Sequence, residues 1–241
     1  MIINSPYPLF MLTEFLDKEL HKNLKKSFPS KEDLIAKGIS SSKNRYNFMR
    51  GSNNQKVLID SSSSWALFDE YIKNNFIKDM LGFIKEKYSF DYENILKNTN
   101  LECHYDISRA EAGYVRSCHI DRRHHLMSFL YYLNDQNEYK GKGGNFISYE
   151  VERPSGKDNI YDVFPDPKNI KSKKVIRPKE NSLVGFINVK NAYHGVSKMT
   201  DSVSDRMFLY ISIDSVDKQP IWKNENIKVL SEKRRQDFLN E

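Results

Sequence analysis

The chain has 241 residues, of which 39% are hydrophobic and 29% charged, and a formal net charge of +6. A chain this long can bury a sizeable core, its composition is ordinary for a globular protein, and no apolar run approaches the roughly 18 residues of a membrane span. Two cysteines, Cys103 and Cys118, make no disulfide framework, and the first ten residues lack the pattern of a signal peptide, so a reducing, cytoplasmic setting is expected. The positive charge is interleaved with 32 acids and forms no Lys/Arg stripe with stacking aromatics, which argues against nucleic acid, although a basic bias can recruit an anionic substrate.

In chain order, Pro8 to Leu12 reads as a short strand. Leu16, Leu20, Leu24 and Phe28 then recur four apart behind Asp17, a residue suited to cap an amphipathic helix. Residues 30–63 are polar and read as irregular, ending in a run of serines. Ser64 can cap one long helix carrying Trp65, Phe68, Ile72, Phe76, Met80, Phe83 and Ile84 at helical spacing to about Lys87. From residue 99 the period changes to two. Leu101, Cys103, Tyr105 and Ile107 alternate with Glu102, His104 and Asp106, and further strands are expected at Gly113 to Asp121, Leu126 to Leu133, Asn145 to Val151, Leu183 to Asn188 and Met207 to Ile213. Arg153 to Ser172 reads as a long polar loop over a binding entrance, and Lys218 to Glu241 as a charged, partly helical tail. The expected organisation is α+β with a mainly β core: a flank over 1–98, a jelly-roll-like core over 99–216 and a tail over 217–241.

Chemistry enters at His119-Ile120-Asp121. In a strand, residues two apart project to one face, so His-x-Asp presents an imidazole and a carboxylate side by side. A histidine from a distant strand, His194, completes a two-His, one-carboxylate facial set with open positions, an arrangement suited to non-haem iron. The pair alone is weak evidence, since His104 and Asp106 form a second one. Their side chains share the polar phase of their strand and should point outward unless that phase lines a cavity.

The wider context favours the later pair. Gly113 to Asp121 (GYVRSCHID), Leu130 to Asp135 (LYYLND), Gly141 to Phe146 (GKGGNF), Asn181 to Met199 and Arg206 to Asp214 (RMFLYISID) follow one another in an order that resembles the prolyl-4-hydroxylase-like group of Fe(II)/2-oxoglutarate-dependent dioxygenases. The resemblance covers roughly residues 101–214. It implies a double-stranded β-helix with N-terminal helices packed on it, and a hydroxylase that uses Fe(II), O2 and 2-oxoglutarate, with ascorbate as an auxiliary. It further implies His119, Asp121 and His194 as iron ligands, and Arg206 as the partner of the distal carboxylate of 2-oxoglutarate. Tyr132 and Ser128 match positions that support the same carboxylate, and Tyr105 and Tyr114 match pocket tyrosines. Two departures stand out: Ser117 and Cys118 look inserted before the first ligand, and the interval from His194 to Arg206 is longer than usual. Neither changes strand parity at the ligands.

Prolyl residues of a peptide or protein are the substrate the resemblance suggests first, with free amino acids, sugars or nucleotide-linked compounds as the alternative. A zinc hydrolase and a non-catalytic jelly-roll binder are rival classes on the same scaffold, and neither has a use for a keto-acid clamp.

Overall fold

The two-residue alternation is the organising feature of the molecule, and a computed structural model, which describes residues 1–88, 97, 99–152, 160–201, 203–219, 221 and 226–228, shows what each phase faces. From the N-terminus come β1 (Ile2–Ile3), β2 (Leu9–Thr13), α1 (Lys18–Lys26), α2 (Lys31–Lys37), β3 (Ile39–Ser42), β4 (Arg45–Phe48), α3 (Asn53–Ser61), α4 (Ser63–Asn74) and α5 (Phe76–Lys87). The rest is mostly strand: β5 (Leu101–Ala110), β6 (Arg116–His119), β7 (His125–Tyr132), the short α6 (Gln136–Tyr139), β8 (Phe146–Val151), β9 (Ile160–Asp162), β10 (Ile170–Ile176), β11 (Ser182–Ile187), β12 (His194–Val196), β13 (Arg206–Ser215) and β14 (Asn226–Lys228).

Two antiparallel sheets make the double-stranded β-helix. The larger runs β1-β2-β11-β7-β13-β5-β4-β3 and the smaller β10-β8-β12-β6, while β14 pairs in parallel with β9. One phase of the large sheet packs on the helices: Cys103, Tyr105 and Ile107 of β5, Met127, Phe129 and Tyr131 of β7, and Leu209, Ile211 and Ile213 of β13 join Leu24, Trp65, Phe68, Ile72, Phe76 and Ile84 in one core. The opposite phase faces the small sheet, where Leu9, Tyr132, Phe146, Val184, Phe186, Val196 and Phe208 form a second apolar cluster. A β5, β7 or β13 residue is therefore assigned to the helices or to the space between the sheets by its parity alone.

Several expectations are corrected here. Residues 30–63 are not irregular: α2 and α3 are capped by Ser30 and Ser52, whose hydroxyls accept the Asp33 and Gln55 amides at 3.0 and 3.2 Å. Between these helices the hairpin β3–β4 adds to the edge of β5. Apolar periodicity is weak in this stretch because these elements are short and half-exposed. The long helix divides at Asn75, which has φ −123°, into α4 and α5. Asparagine competes with the helix for backbone hydrogen bonds, and consecutive asparagines at 74 and 75 favour a break. The expected loop 153–172 contains β9, a 3-10 turn at Pro167–Asn169 and the start of β10, and its residues 153–159 lie outside the described residues. The tail contributes the strand β14 among its described residues. Both cysteines are free and buried, and among the described residues no helix is long and apolar enough to cross a membrane.

Gly185 of β11 is held tightly between β2 and β7 by two aromatic rings. A Cβ there would stand 2.5 Å from Phe129 Cδ1 and 2.6 Å from Phe10 Cζ. Gly185→Ala is expected to cost about 1–3 kcal/mol through overpacking, and Gly185→Val more. Urea unfolding checks this; a midpoint unchanged by the alanine would show that the two rings yield freely.

Candidate active site

The small sheet brings two histidines together. β6 and β12 are adjacent and antiparallel with His119 directly opposite His194, and β12 is held on its other side by β8 through the His194–Ser148 pair. The extra residue of β6 between Arg116 and His119 is absorbed as a register shift opposite Gly195, which keeps both histidines facing inward. Each ring is oriented from behind, with His119 Nδ1 2.8 Å from the Ser117 carbonyl and His194 Nδ1 3.0 Å from the Ala192 carbonyl. If Nδ1 carries the proton it donates to the carbonyl, and Nε2 presents its lone pair to the site.

Asp121 follows β6 directly. Its Oδ1 lies 3.6 Å from His119 Nε2 and 3.7 Å from His194 Nε2, spacings at which both atoms of each pair can lie about 2 Å from one ion. Its Oδ2 accepts hydrogen bonds from the Ser128 hydroxyl at 2.6 Å and the Tyr210 hydroxyl at 3.1 Å. One carboxylate oxygen is thus turned to the histidines while the other is fixed by the large sheet. Burial pushes the Asp121 carboxyl up, but His194 and His119 outweigh it and hold the group well below its ordinary value. Burial, with His119 nearby, lowers His194 to about 4, so this imidazole is neutral at pH 7 and free to coordinate. Aromatic rings enclose the site, with Phe164 stacked on His119 at 6.0 Å and Phe146 on His194 at 5.8 Å.

These groups open onto a cavity of about 930 Å³ between the sheets, also lined by Tyr114, Phe186 and Phe208. Arg206 is fully buried, its guanidinium 4.9 Å from the Tyr132 ring and 4.4 Å from the Phe208 ring. Among the described residues, none of its three nitrogens, nor the Tyr132 hydroxyl, has a hydrogen-bond partner. Gly144, at φ +68°, lets this arginine through, since a Cβ there would lie 3.2 Å from Arg206 Cδ. Phe208 lines the cavity, and the Arg206 guanidinium packs against its ring.

Two of the expected cofactor contacts have other partners in the structure. Tyr105 lies on the helix side of the large sheet, where its hydroxyl donates to Asp69 at 3.3 Å and its ring packs on Phe68, because its parity is that of Ile107. Ser128 is on the cavity side, as parity requires, but its hydroxyl is engaged by Asp121. The second His-x-Asp pair does not converge: His104 meets Glu102 at 3.1 Å, whereas Asp106 lines the cavity and accepts the Arg50 amide at 2.9 Å. Tyr210 was missed as a site residue, although it shares the phase of Arg206 and Phe208.

A second convergence, His124, His125 and Asp214, also brings possible ligand atoms together. Its chemistry opposes a cation. Asp214 is already bound by His125 and by Arg50 at 2.9 Å, and Lys218 stands 3.7 Å away. His119, Asp121 and His194 are accordingly the metal candidates.

A family model, described as 2OG-Fe(II) oxygenase superfamily, matches residues 91–211, half of the chain. The chain belongs to this superfamily. The oxygenase has the fold of a Pseudomonas putida prolyl-4-hydroxylase, with a TM-score of 0.51 at 14% identity over 86% of this chain and 92% of that one. A 2OG-Fe(II) oxygenase family oxidoreductase from Burkholderia pseudomallei gives a TM-score of 0.51 at 12% identity over 91% of this chain and 88% of that one. No curated protein matches the sequence closely enough to count as a relative. Membership brings Fe(II) as the metal and 2-oxoglutarate as the co-substrate of this enzyme.

Alanine at His119, Asp121 or His194 is expected to abolish anaerobic Fe(II) binding, while His104→Ala retains it; loss of iron from the His104 variant alone would move the site. Ser128→Ala removes the short hydrogen bond that orients Asp121 and should weaken Fe(II) binding about 10- to 100-fold, as measured by competition with a chelator.

Proposed function

We propose that this oxygenase hydroxylates prolyl residues of a peptide or protein, with His119, Asp121 and His194 holding Fe(II) and with Arg206 and Tyr132 holding the distal carboxylate of 2-oxoglutarate. The observation that carries the cofactor assignment is the state of Arg206. A guanidinium removed from water, with no counter-carboxylate among the described residues, is costly, and that cost is offset when a ligand supplies the carboxylate. Arginine offers a planar fork suited to two parallel bonds with such a group, and the neighbouring Tyr132 hydroxyl can donate a third. A zinc hydrolase on the same scaffold would leave this buried charge without a purpose.

Bound Fe(II) and 2-oxoglutarate would activate O2, the oxidant, one oxygen atom going to the substrate and the other to the keto acid, which leaves as succinate and carbon dioxide. The protein's own part is positional. His119 and His194 enter from the small sheet, and Ser128 and Tyr210 on the large sheet fix the orientation of Asp121 between them. The rings of Phe146, Phe164, Phe186 and Phe208 exclude water and offer flat apolar faces. Such walls suit a pyrrolidine ring, since proline-containing segments dock in aromatic-lined grooves. This aromatic lining supports prolyl peptides as the substrate class. The test is one-oxygen mass gain on a proline-containing peptide, matched mole for mole by succinate release and absent when alanine replaces the proline.

Arg206→Ala is expected to leave Fe(II) binding in place and to weaken 2-oxoglutarate by about 3–5 kcal/mol, the cost of breaking a buried charge pair. That corresponds to roughly 10² to 10³ or more in affinity. Lysine should rescue in part, since it supplies the charge without the fork. Anaerobic titration of the Fe(II)–2-oxoglutarate charge-transfer band measures both variants, and parental affinity in Arg206→Ala would place the clamp elsewhere.

A further inference from the structure

His125 is where β7 departs from the alternation that governs the rest of the large sheet. Met127, Phe129 and Tyr131 face the helices, so strict alternation would send His125 there as well. The ladder with β13 shifts register at this point: Ser128 pairs with Ser212 and Met127 with Ile213, but His125 pairs with Asp214. Leu126 is the extra residue, and it joins Met127 in the helix-side core. A bulge of this kind re-aims the side chain beside it. His125 thereby lines the cavity that holds the metal candidates, next to Asp214, whose parity is that of Phe208 and Tyr210.

The ring is held from one side. Its Nδ1 bonds Asp214 Oδ1, while Arg50 Nη1 donates to Asp214 Oδ2 at 2.9 Å and to the Ser212 hydroxyl at 3.0 Å. Burial pushes the Asp214 carboxyl up, but His125, Ser212 and Arg50 hold it down at about 2, so it is ionised and can only accept. Nδ1 is therefore the donor of this bond, and the ring presents a lone pair at Nε2. The neighbouring His124, whose ring lies 4.4 Å away, turns its own Nε2 to Asp214 at 3.9 Å and does not cover that lone pair. His125 is only 4% exposed, yet its Nε2 has no partner among the described residues and is not sealed off, so it opens on the cavity.

We propose that His125 is a specificity-determining residue of this oxygenase, its Nε2 accepting a hydrogen bond from an N–H group of the primary substrate. Resting on the prolyl reading above, the donor is a peptide N–H beside the oxidised residue. Proline has no N–H of its own, so the donor belongs to the residue before or after it. A substrate that fills the cavity displaces the water at Nε2, and one without a donor leaves this acceptor buried and unpaired. A site built around a hydrogen bond rejects the analogue that lacks it far more strongly than an apolar wall rejects a missing methylene. The faces of Phe146, Phe186 and Phe208 can hold a ring, and His125 supplies a directional contact that they do not.

The test compares a proline-containing peptide with two versions methylated on the amide nitrogen of the residue before or after the proline, and with the same set carrying alanine for proline. Each is measured on the full chain and on its His125→Asn and His125→Gln variants. Asparagine keeps a donor for Asp214 near the position of Nδ1, whereas the longer glutamine places a polar atom near that of Nε2. Calorimetry on enzyme loaded anaerobically with Fe(II) and 2-oxoglutarate gives affinities, and succinate release with mass gain gives KM and kcat. One of the two methylations is expected to weaken binding about tenfold or more in the parent and to have little effect in His125→Asn. His125→Asn should raise KM for the unmethylated peptide by a similar factor, and His125→Gln should recover part of the loss. Both variants should keep the parental affinities for Fe(II) and 2-oxoglutarate, which shows the fold intact; should neither fold, the methylated peptides still decide the matter on the parent. Equal binding of the three proline peptides, or the same methylation penalty in the parent and in His125→Asn, overturns the proposal, and the prolyl reading stands if the proline is hydroxylated. If the alanine set shows the same penalty and is oxidised, the prolyl reading falls and the role of His125 stands. Binding of none of the peptides overturns both.

Discussion

Successive side chains of a strand leave on opposite faces, and in β5, β7 and β13 this places two unrelated tasks on neighbouring residues. Leu209, Ile211 and Ile213 pack on the helices, while Phe208, Tyr210 and Asp214 line the cavity and Arg206 packs against Phe208. The adjacent tyrosines of β7 show the same division. Tyr131 bonds His21 and Asn181 in the helix-side core, and Tyr132 lies against Arg206 between the sheets. A one-residue slip of β13 would put the arginine into the helical core and leave a leucine or isoleucine facing the site. The large apolar area buried under the helices, which contributes most to stability, therefore also sets the register of the active side.

The same rule explains what was legible in the amino-acid order. Alternation from Leu101 identified the strands, and the His119–Asp121 spacing identified two groups that converge in space. His194 and Arg206 needed more than spacing, and their places came from an ordered resemblance of several motifs. Tyr105 shares its parity with Ile107 and so packs on the helix side, whereas the family resemblance points it to the pocket. Ser128 is on the cavity face, but a face does not specify which neighbour a hydroxyl will meet, and here it donates to Asp121.

Other features left little trace. The β3–β4 hairpin is polar, short and turns at Asn44, which has φ +59°, so its apolar signal is too weak to detect until it is paired with β5. The division between α4 and α5 depends on a local competition at Asn74 and Asn75 that an unbroken apolar period conceals. The charge network of Arg50, His125 and Asp214 joins residues far apart in the chain, and only the closed sheet brings them together. Elements defined by their own side chains were readable, whereas those defined by partners distant in the chain were not.

The pairing of β9 with β14 has a consequence for how the enzyme comes into being. Phe164, stacked on His119, is two residues beyond β9, and β9 is bound by residues 226–228. The two histidines are separated by 75 positions, and the strand that closes this wall is translated after both. A nascent chain that has just completed β12 holds every candidate ligand yet lacks Tyr210, Arg206 and the strand that backs this wall. Contacts this distant form late, because loop closure must precede their reward. During synthesis on the ribosome, a competent iron site is therefore among the last parts of the molecule to mature, after the helical layer has had the opportunity to collapse.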